Sequence, residues 1–200
     1  QIKIDRGGGV TVFCGSTDIG QGSDSILAYV VAAELGVTVV DIDIVSADTS
    51  LTPVDLGSYS SRVTLMTGNA AIEASRKLSK ILLETAAGEL KVPPESLEMR
   101  DNIIYCLDDE ARRLSFPDLA KIAEAKFGTL GAVGSYTPPK RGGRYKGAGV
   151  GPTPAYSYSA CVAQVDVDLD SCEFRVEKIW IAHDVGRALN PLLVEGQVEG

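Results

Sequence analysis

Residues 10–45, VTVFCGSTDIGQGSDSILAYVVAAELGVTVVDIDIV, carry the fold class. Residues 10–14 are a short apolar run that reads as a strand. Residues 23–35 place Leu27, Val30 and Val31 on one helical face, and Gly36 stands where a helix C-cap belongs. Residues 39–45 then alternate Val, Ile and Ile with Asp41 and Asp43, the period of two expected of a half-buried strand. Strand, loop, helix and strand in this order form a parallel pair with a right-handed crossover. The connector, GSTDIGQGSD at residues 15–24, crowds three glycines, a glutamine and several hydroxyls into one turn. Either the chain simply turns tightly there, or something approaches the backbone at the mouth of the helix, where free N–H groups favour anions. Gly20-Gln21-Gly22 occupies the place of a phosphate-binding turn. However, Asp18 and Asp24 flank it, and both a P-loop lysine and the third glycine of a dinucleotide fingerprint are missing.

A second polar connector follows, DLGSYSSRVTLMTGNAA at residues 55–71. Ser58, Ser60 and Ser61 precede a helix with Arg62 at its start, so that hydroxyls, N–H groups and a guanidinium could converge on a phosphate or polar heterocycle. Ordinary serine capping explains the same residues without a ligand. The helix runs to about residue 87 along a seam of Ala71, Ala74, Leu78, Ile81 and Leu82. Residues 91–140 read as an insert, with a hairpin at 97–100 and 103–106 and a helix opened by Ser115 with Pro117 in its first turn. KRGGRYKGAGVG at residues 140–151 is either a solvated connector or an anion or partner contact. Residues 156–167 and 174–182 alternate as a strand hairpin. In AHDVGRALNPLLVEGQVEG, residues 182–200, a strand ends at His183-Asp184, Asn190-Pro191 breaks the chain, and Gly196-Gln197 opens a further segment. His183 stands in no Ser-His-Asp relation and reads as a packing residue.

Composition narrows the function classes. The chain has 200 residues, 44% of them hydrophobic, enough for a real core. Its formal charge of -8 argues against sequence-independent nucleic-acid binding, which needs clustered cations. The apolar runs are too short for a membrane span. Cys14, Cys106, Cys161 and Cys172 form no CxxC and, with one histidine, suggest neither a zinc nor an iron-sulfur site. A reducing, cytoplasmic setting is the default, and the ends read as those of a partial domain.

Taken together, GSTDIGQGS, GSYSSRVTLMTGNAAIEA and HDVGRALNPLLVEGQVEG resemble, in order and separation, the large molybdenum-cofactor subunit of the xanthine oxidase family of molybdenum hydroxylases. Within that family, YTPP and GVGPTPAYSYSA are most similar to 4-hydroxybenzoyl-CoA reductase large subunits. The resemblance implies an α/β (α+β), two-lobed molybdopterin-binding domain with mixed sheets and packed helices. Residues 1–90 would form its first lobe with both cofactor loops, 91–140 the insert, and 141–200 the hairpin and GQVEG segment. It puts Ile19, Gly20, Gln21 and Gly22 on the pterin, with Gln21 as an amide donor. Ser58, Ser60, Ser61 and Arg62 fall in the loop holding the pterin and its phosphate, and Gln197 reaches the dithiolene side. Amides and hydroxyls suit a polar heterocycle, which needs donors and acceptors at once.

The resemblance also implies what lies elsewhere. The family's catalytic glutamate belongs to a Gly-x-Gly-Glu motif beyond residue 200, so no catalytic residue is expected here. The metal is carried by molybdopterin, as such or in its cytosine dinucleotide form. Iron-sulfur clusters and FAD belong to partner subunits or domains, and the substrate is a small aromatic, heterocyclic, aldehyde or acyl-CoA compound. Hydroxylation and reductive dehydroxylation are both open. Two other readings compete: a non-catalytic nucleotide-binding module, which needs a glycine loop but not the serine loop and GQVEG together, and an assembly domain that leaves both loops without a ligand.

Overall fold

Two short strands at the start of the chain organise the first sheet. Strand β1 (Ile2–Ile4) buries Ile2 and Ile4, and β2 (Val10–Cys14) buries Val10, Val12 and Cys14. In this computed structural model, which describes residues 1–139 and 156–200, β2 pairs in parallel with β3 (Ile42–Ser46), Val10 opposite Ile42 and Cys14 opposite Ser46. The connection is α1 (Ser23–Leu35), closed by Gly36 at φ 66°. Leu27, Val31 and Leu35 are buried and Val30 packs against the same core. The strand expected from residue 39 begins at Ile42, because residues 39–41 form a 3-10 turn. Asn102 holds that turn: its Oδ1 accepts the Thr38 N–H at 3.0 Å and its Nδ2 donates to Asp41 at 2.7 Å.

Helix α2 (Val63–Leu90) buries Ala71, Ala74, Leu78 and Leu82, with Ile81 at the margin. It runs past residue 87 and ends at Lys91, which adopts the left-handed conformation at φ 54°. Strands β4 (Leu97–Arg100) and β5 (Ile103–Cys106) form the expected hairpin, turning through Asp101 and Asn102, both at positive φ. A third strand, β6 (Asp109–Ser115), joins β5. Its charged sequence, DEARRLS, has no apolar alternation, so nothing in the pattern announces it. Helix α3 (Phe116–Phe127) begins where Ser115 Oγ accepts the Asp118 N–H at 3.2 Å. Leu97, Ile104, Phe116 and Leu119 join one hydrophobic cluster with α1 and α2. Finally β7 (Leu130–Ala132) pairs with β1, giving the sheet order β3-β2-β1-β7.

The chain divides into two units, Gln1–Pro154 and Ala155–Gly200. In the second, β8 (Tyr158–Val167) and β9 (Phe174–Asp184) form an antiparallel pair with a register shift at Gln164 and Val165. Helix α4 (Pro191–Glu199) follows, and Asn190 Oδ1 accepts the Leu193 N–H at 3.3 Å. Asn190-Pro191 therefore starts a helix rather than breaking the chain, and Gly196 and Gln197 lie inside it rather than opening a new segment. The glycine-rich basic stretch 140–151 falls outside the described residues. Among the described residues no helix is long and apolar enough to cross a membrane.

Candidate functional site

The glycine loop leaves β2 at Gly15, and the segment before α2 crosses directly over it. A Cβ on Gly15 would lie 2.0 Å from the Pro53 carbonyl oxygen and 2.9 Å from the Asp55 nitrogen. Only glycine permits that crossing. The crossing brings the serine loop onto the glycine loop, where Ser58 Oγ accepts the Thr17 N–H at 3.0 Å and donates to the Thr17 carbonyl. The two connectors that the sequence singled out are therefore in direct contact beyond the C-terminal end of β2.

Within the glycine loop the donors are organised around Asp18. Its Oδ1 accepts the N–H groups of Gly20 at 2.8 Å and Gly22 at 3.3 Å, and its Oδ2 accepts the Asp24 N–H at 3.1 Å. These N–H groups, that of Asp24 foremost, hold the Asp18 carboxyl below the usual carboxylate range against the cost of desolvation. Gly22, at φ 78°, caps α1 without any side-chain cap of its own. Gln21 folds back into the loop: Nε2 donates to the Thr17 carbonyl at 3.0 Å and Ser23 Oγ at 2.9 Å, and Oε1 accepts the Ile19 N–H at 2.7 Å. The Gln21 amide therefore donates inside the loop, to Thr17 and Ser23. Ile19 is exposed, and beyond Gly20 there is open space.

The serine loop is held from below. Buried Arg62 pairs with Asp55 at 2.7 Å and donates to the Gly57 carbonyl at 2.9 Å. Its guanidinium also lies 5.9 Å from the Tyr59 ring centroid. Asp55, seven residues earlier, pairs with one nitrogen of the guanidinium, so that Arg62 is anchored within the serine loop. Ser60 and Ser61 are exposed, with φ of 56° and 50°. Two successive non-glycine residues in the left-handed region are strained, and the Arg62–Asp55 clamp beneath them holds that geometry. Around the loops Val54, Leu56 and Tyr59 are exposed along with Ile19. Behind them lies a cavity of about 260 Å³ whose lining includes Cys14, Asp55, Arg62, Met66, Thr67 and Tyr136. Arg62 Nε and Thr67 Oγ1 are buried without a partner among the described residues.

Gln197 lies exposed on α4 of the second unit, and His183 sits on β9 opposite Ser159. Two residues escaped the sequence reading, Thr17 and Asp55. Asp55 could have been found from its Asp-x-Gly spacing with Gly57, shared by Asp18 and Gly20, which marks side chains that accept N–H bonds two residues on; no such spacing marks Thr17. Among the described residues no group of three or more His, Cys, Asp or Glu is placed to hold a metal ion.

The molybdopterin cofactor-binding domain family matches residues 1–200. The chain is 30% identical over 208 residues to the 6-hydroxypseudooxynicotine dehydrogenase complex subunit gamma of Paenarthrobacter nicotinovorans, covering 100% of this chain and 24% of that protein. It is 29% identical over 204 residues to the xanthine dehydrogenase molybdenum-binding subunit of Escherichia coli, covering 100% and 26%. Its fold superposes on reconstituted CO dehydrogenase from Oligotropha carboxidovorans with a TM-score of 0.81 at 28% identity, over 100% of this chain and 24% of that one. The chain thus spans about a quarter of the length of the relatives it matches. With the family matched from end to end, the chain belongs to the molybdopterin cofactor-binding domains of the xanthine oxidase family of molybdenum oxidoreductases.

Proposed function

We propose that residues 15–24 and 58–62 together hold molybdopterin in an oxidoreductase that hydroxylates, or reductively dehydroxylates, a small aromatic, heterocyclic or aldehyde substrate. The observation that carries this reading is the paired hydrogen bond between Ser58 and Thr17, which joins the two connectors. The residues present fit the group. Exposed Ile19, Leu56 and Tyr59 offer apolar surface to a flat heterocycle, and the exposed residues Ser60 and Ser61 lie in the same loop as Leu56 and Tyr59. When bound, the cofactor supplies the redox metal on its own sulfurs, so the chain need supply no metal ligand. The part played by this stretch is then to bind and orient. Ser58 fixes the distance between loops, the Arg62–Asp55 pair supports the serine turn, and Ile19 with Gly20 forms the face toward the ligand. Gln21 joins by exchanging its bonds to Thr17 and Ser23 for bonds to the cofactor.

Under this reading residues 1–90, 91–140 and 141–200 make up one cofactor-binding domain, completed by further lobes of a large subunit. Partner subunits or domains carry iron-sulfur clusters and FAD, and the pterin is in its simple or cytosine dinucleotide form. A 4-hydroxybenzoyl-CoA substrate rests on YTPP and GVGPTPAYSYSA, much of which lies outside the described residues. A nucleotide-binding module is disfavoured, because Asp18 already fills the N-terminus of α1. The test is molybdenum content of the parent enzyme. Gln21→Ala should lower metal per subunit with the fold intact, and the exposed Glu110→Ala should not. Full metal and full turnover in Gln21→Ala would overturn the assignment.

A further inference from the structure

We propose that the cavity behind the serine loop is a binding site in its own right, for a neutral molecule of one ring that carries an amide. None of residues 19–22 or 58–61 lines it, so the site is separate from the loop residues assigned to the cofactor and does not rest on that reading.

The cavity, of about 260 Å³, is walled by β2 and the start of α2. Among the described residues four side chains keep a buried polar atom without a hydrogen-bond partner, and two of the four, Arg62 Nε and Thr67 Oγ1, belong to residues that line it. Arg62 is only 5% exposed. Its Nη1 is engaged by Asp55 and by the Gly57 carbonyl, which leaves Nε unused. A threonine inside a helix can give its hydroxyl to the carbonyl four residues back. Thr85 of the same helix does so, donating to Ile81 at 2.7 Å; Thr67 does not. Unmet buried donors are costly, and a ligand that meets them recovers the loss.

The rest of the lining decides the kind of ligand. Val12, Leu27, Met66 and Ala71 make the walls largely apolar, which suits a body with few polar atoms. A cavity of about 150 Å³ takes up benzene, so this one has room for a ring and a substituent. Asp55 lines it as well, and both hydrogen bonds described for its carboxylate end on Oδ1. Its other oxygen repels an entering anion and accepts from an entering N–H. An amide satisfies both sides: its carbonyl, with two lone pairs, takes Arg62 Nε and the Thr67 hydroxyl, and its N–H gives to Asp55.

The probe is 4-bromobenzamide, titrated by calorimetry into the cofactor-loaded parent enzyme and soaked into its crystals, where the bromine is visible by its anomalous scattering. The expected peak lies inside the cavity, with the amide oxygen in hydrogen-bonding reach of Arg62 Nε and Thr67 Oγ1. Two further probes separate the causes: 4-bromotoluene has the ring without the amide, and 4-bromobenzoate has the same shape with a negative charge. Each should bind about tenfold more weakly or worse. Thr67→Val removes the hydroxyl at nearly constant volume and should weaken 4-bromobenzamide about threefold to tenfold. It should not lower the melting temperature, because the hydroxyl has no partner to lose. Ala70→Leu narrows the cavity and should abolish binding while every hydrogen-bonding group stays in place. No binding in solution, a peak elsewhere, or a cavity filled by the parent's own chain overturns the proposal. So does affinity that 4-bromotoluene or 4-bromobenzoate matches, or that Thr67→Val leaves unchanged.

Discussion

The hydroxyl of Ser58 satisfies both backbone groups of Thr17, taking its N–H and giving to its carbonyl. One side chain thereby does for a pair of loops what a strand partner does for a sheet edge. Ser58→Ala removes both bonds at a partly exposed place, at a cost of about 1 kcal/mol. The melting temperature of the parent enzyme should move little. Hydrogen exchange at the Thr17 amide should quicken, and molybdenum retention should fall. Unchanged exchange at Thr17 would mean the two loops are held together by something else.

Gly15→Ala drives a methyl group into the Pro53 carbonyl oxygen, a contact that no side-chain rotation can relieve and only backbone movement can. Overpacking of this kind costs about 1–3 kcal/mol. The expected result is a lower melting temperature together with a larger loss of metal than Ser58→Ala gives, since the whole serine loop must shift. A variant with parental stability and parental metal would contradict the crossing.

Asp55→Ala strands the buried Arg62 guanidinium, leaving it the Gly57 carbonyl and the Tyr59 ring but no counter-charge. Breaking one side of a buried pair costs about 3–5 kcal/mol. Adding Arg62→Met should recover most of that loss in thermal or chaotrope denaturation, because the uncompensated charge is gone. If the double variant were as unstable as Asp55→Ala alone, the clamp would be a matter of shape rather than charge.

Asp18 also predicts a pH dependence whose sign is fixed. Its carboxyl is held below the ordinary value, chiefly by the Asp24 N–H. Its contribution is therefore fully present above the unfolded pKa of about 3.9 and is lost as pH falls through the lower folded value. The stability gap between the parent and Asp18→Asn should be flat above about pH 4 and should narrow on acidification below it. A gap that widened on acidification would reverse the assignment.

How much of this was legible in the sequence depends on where the determining forces act. The boundaries of α1 follow from Gly22 and Gly36 and from the apolar face between them, all local. The β8–β9 hairpin announced itself by alternation. Strands β1 and β7 did not, since three residues carry no measurable period and each exists only because the other side of the sheet supplies its partners. The start of β3 was misjudged because Asn102, sixty residues away, pulls Thr38 and Asp41 into a turn. The site behaves likewise. That the two polar connectors matter could be read from their composition, and family resemblance named the group they would hold. That Gln21 turns inward and Arg62 is anchored by Asp55 depends on side-chain competition within each loop. A list of donors does not reveal which donors are already taken.

The pairing of β1 with β7 has a consequence for how the protein is made. Ile2 lies opposite Ala132 and Ile4 opposite Leu130, so one edge of the second-to-fourth residues waits for a segment synthesised far later. During translation β1, β2 and β3 can assemble first, leaving that edge unpaired and able to template the wrong neighbour. Completion of the sheet is then a late, long-range event, slow for reasons of chain closure. A pulling-force profile along the nascent chain should accordingly show its main release of tension only after Ala132 has cleared the ribosomal exit tunnel.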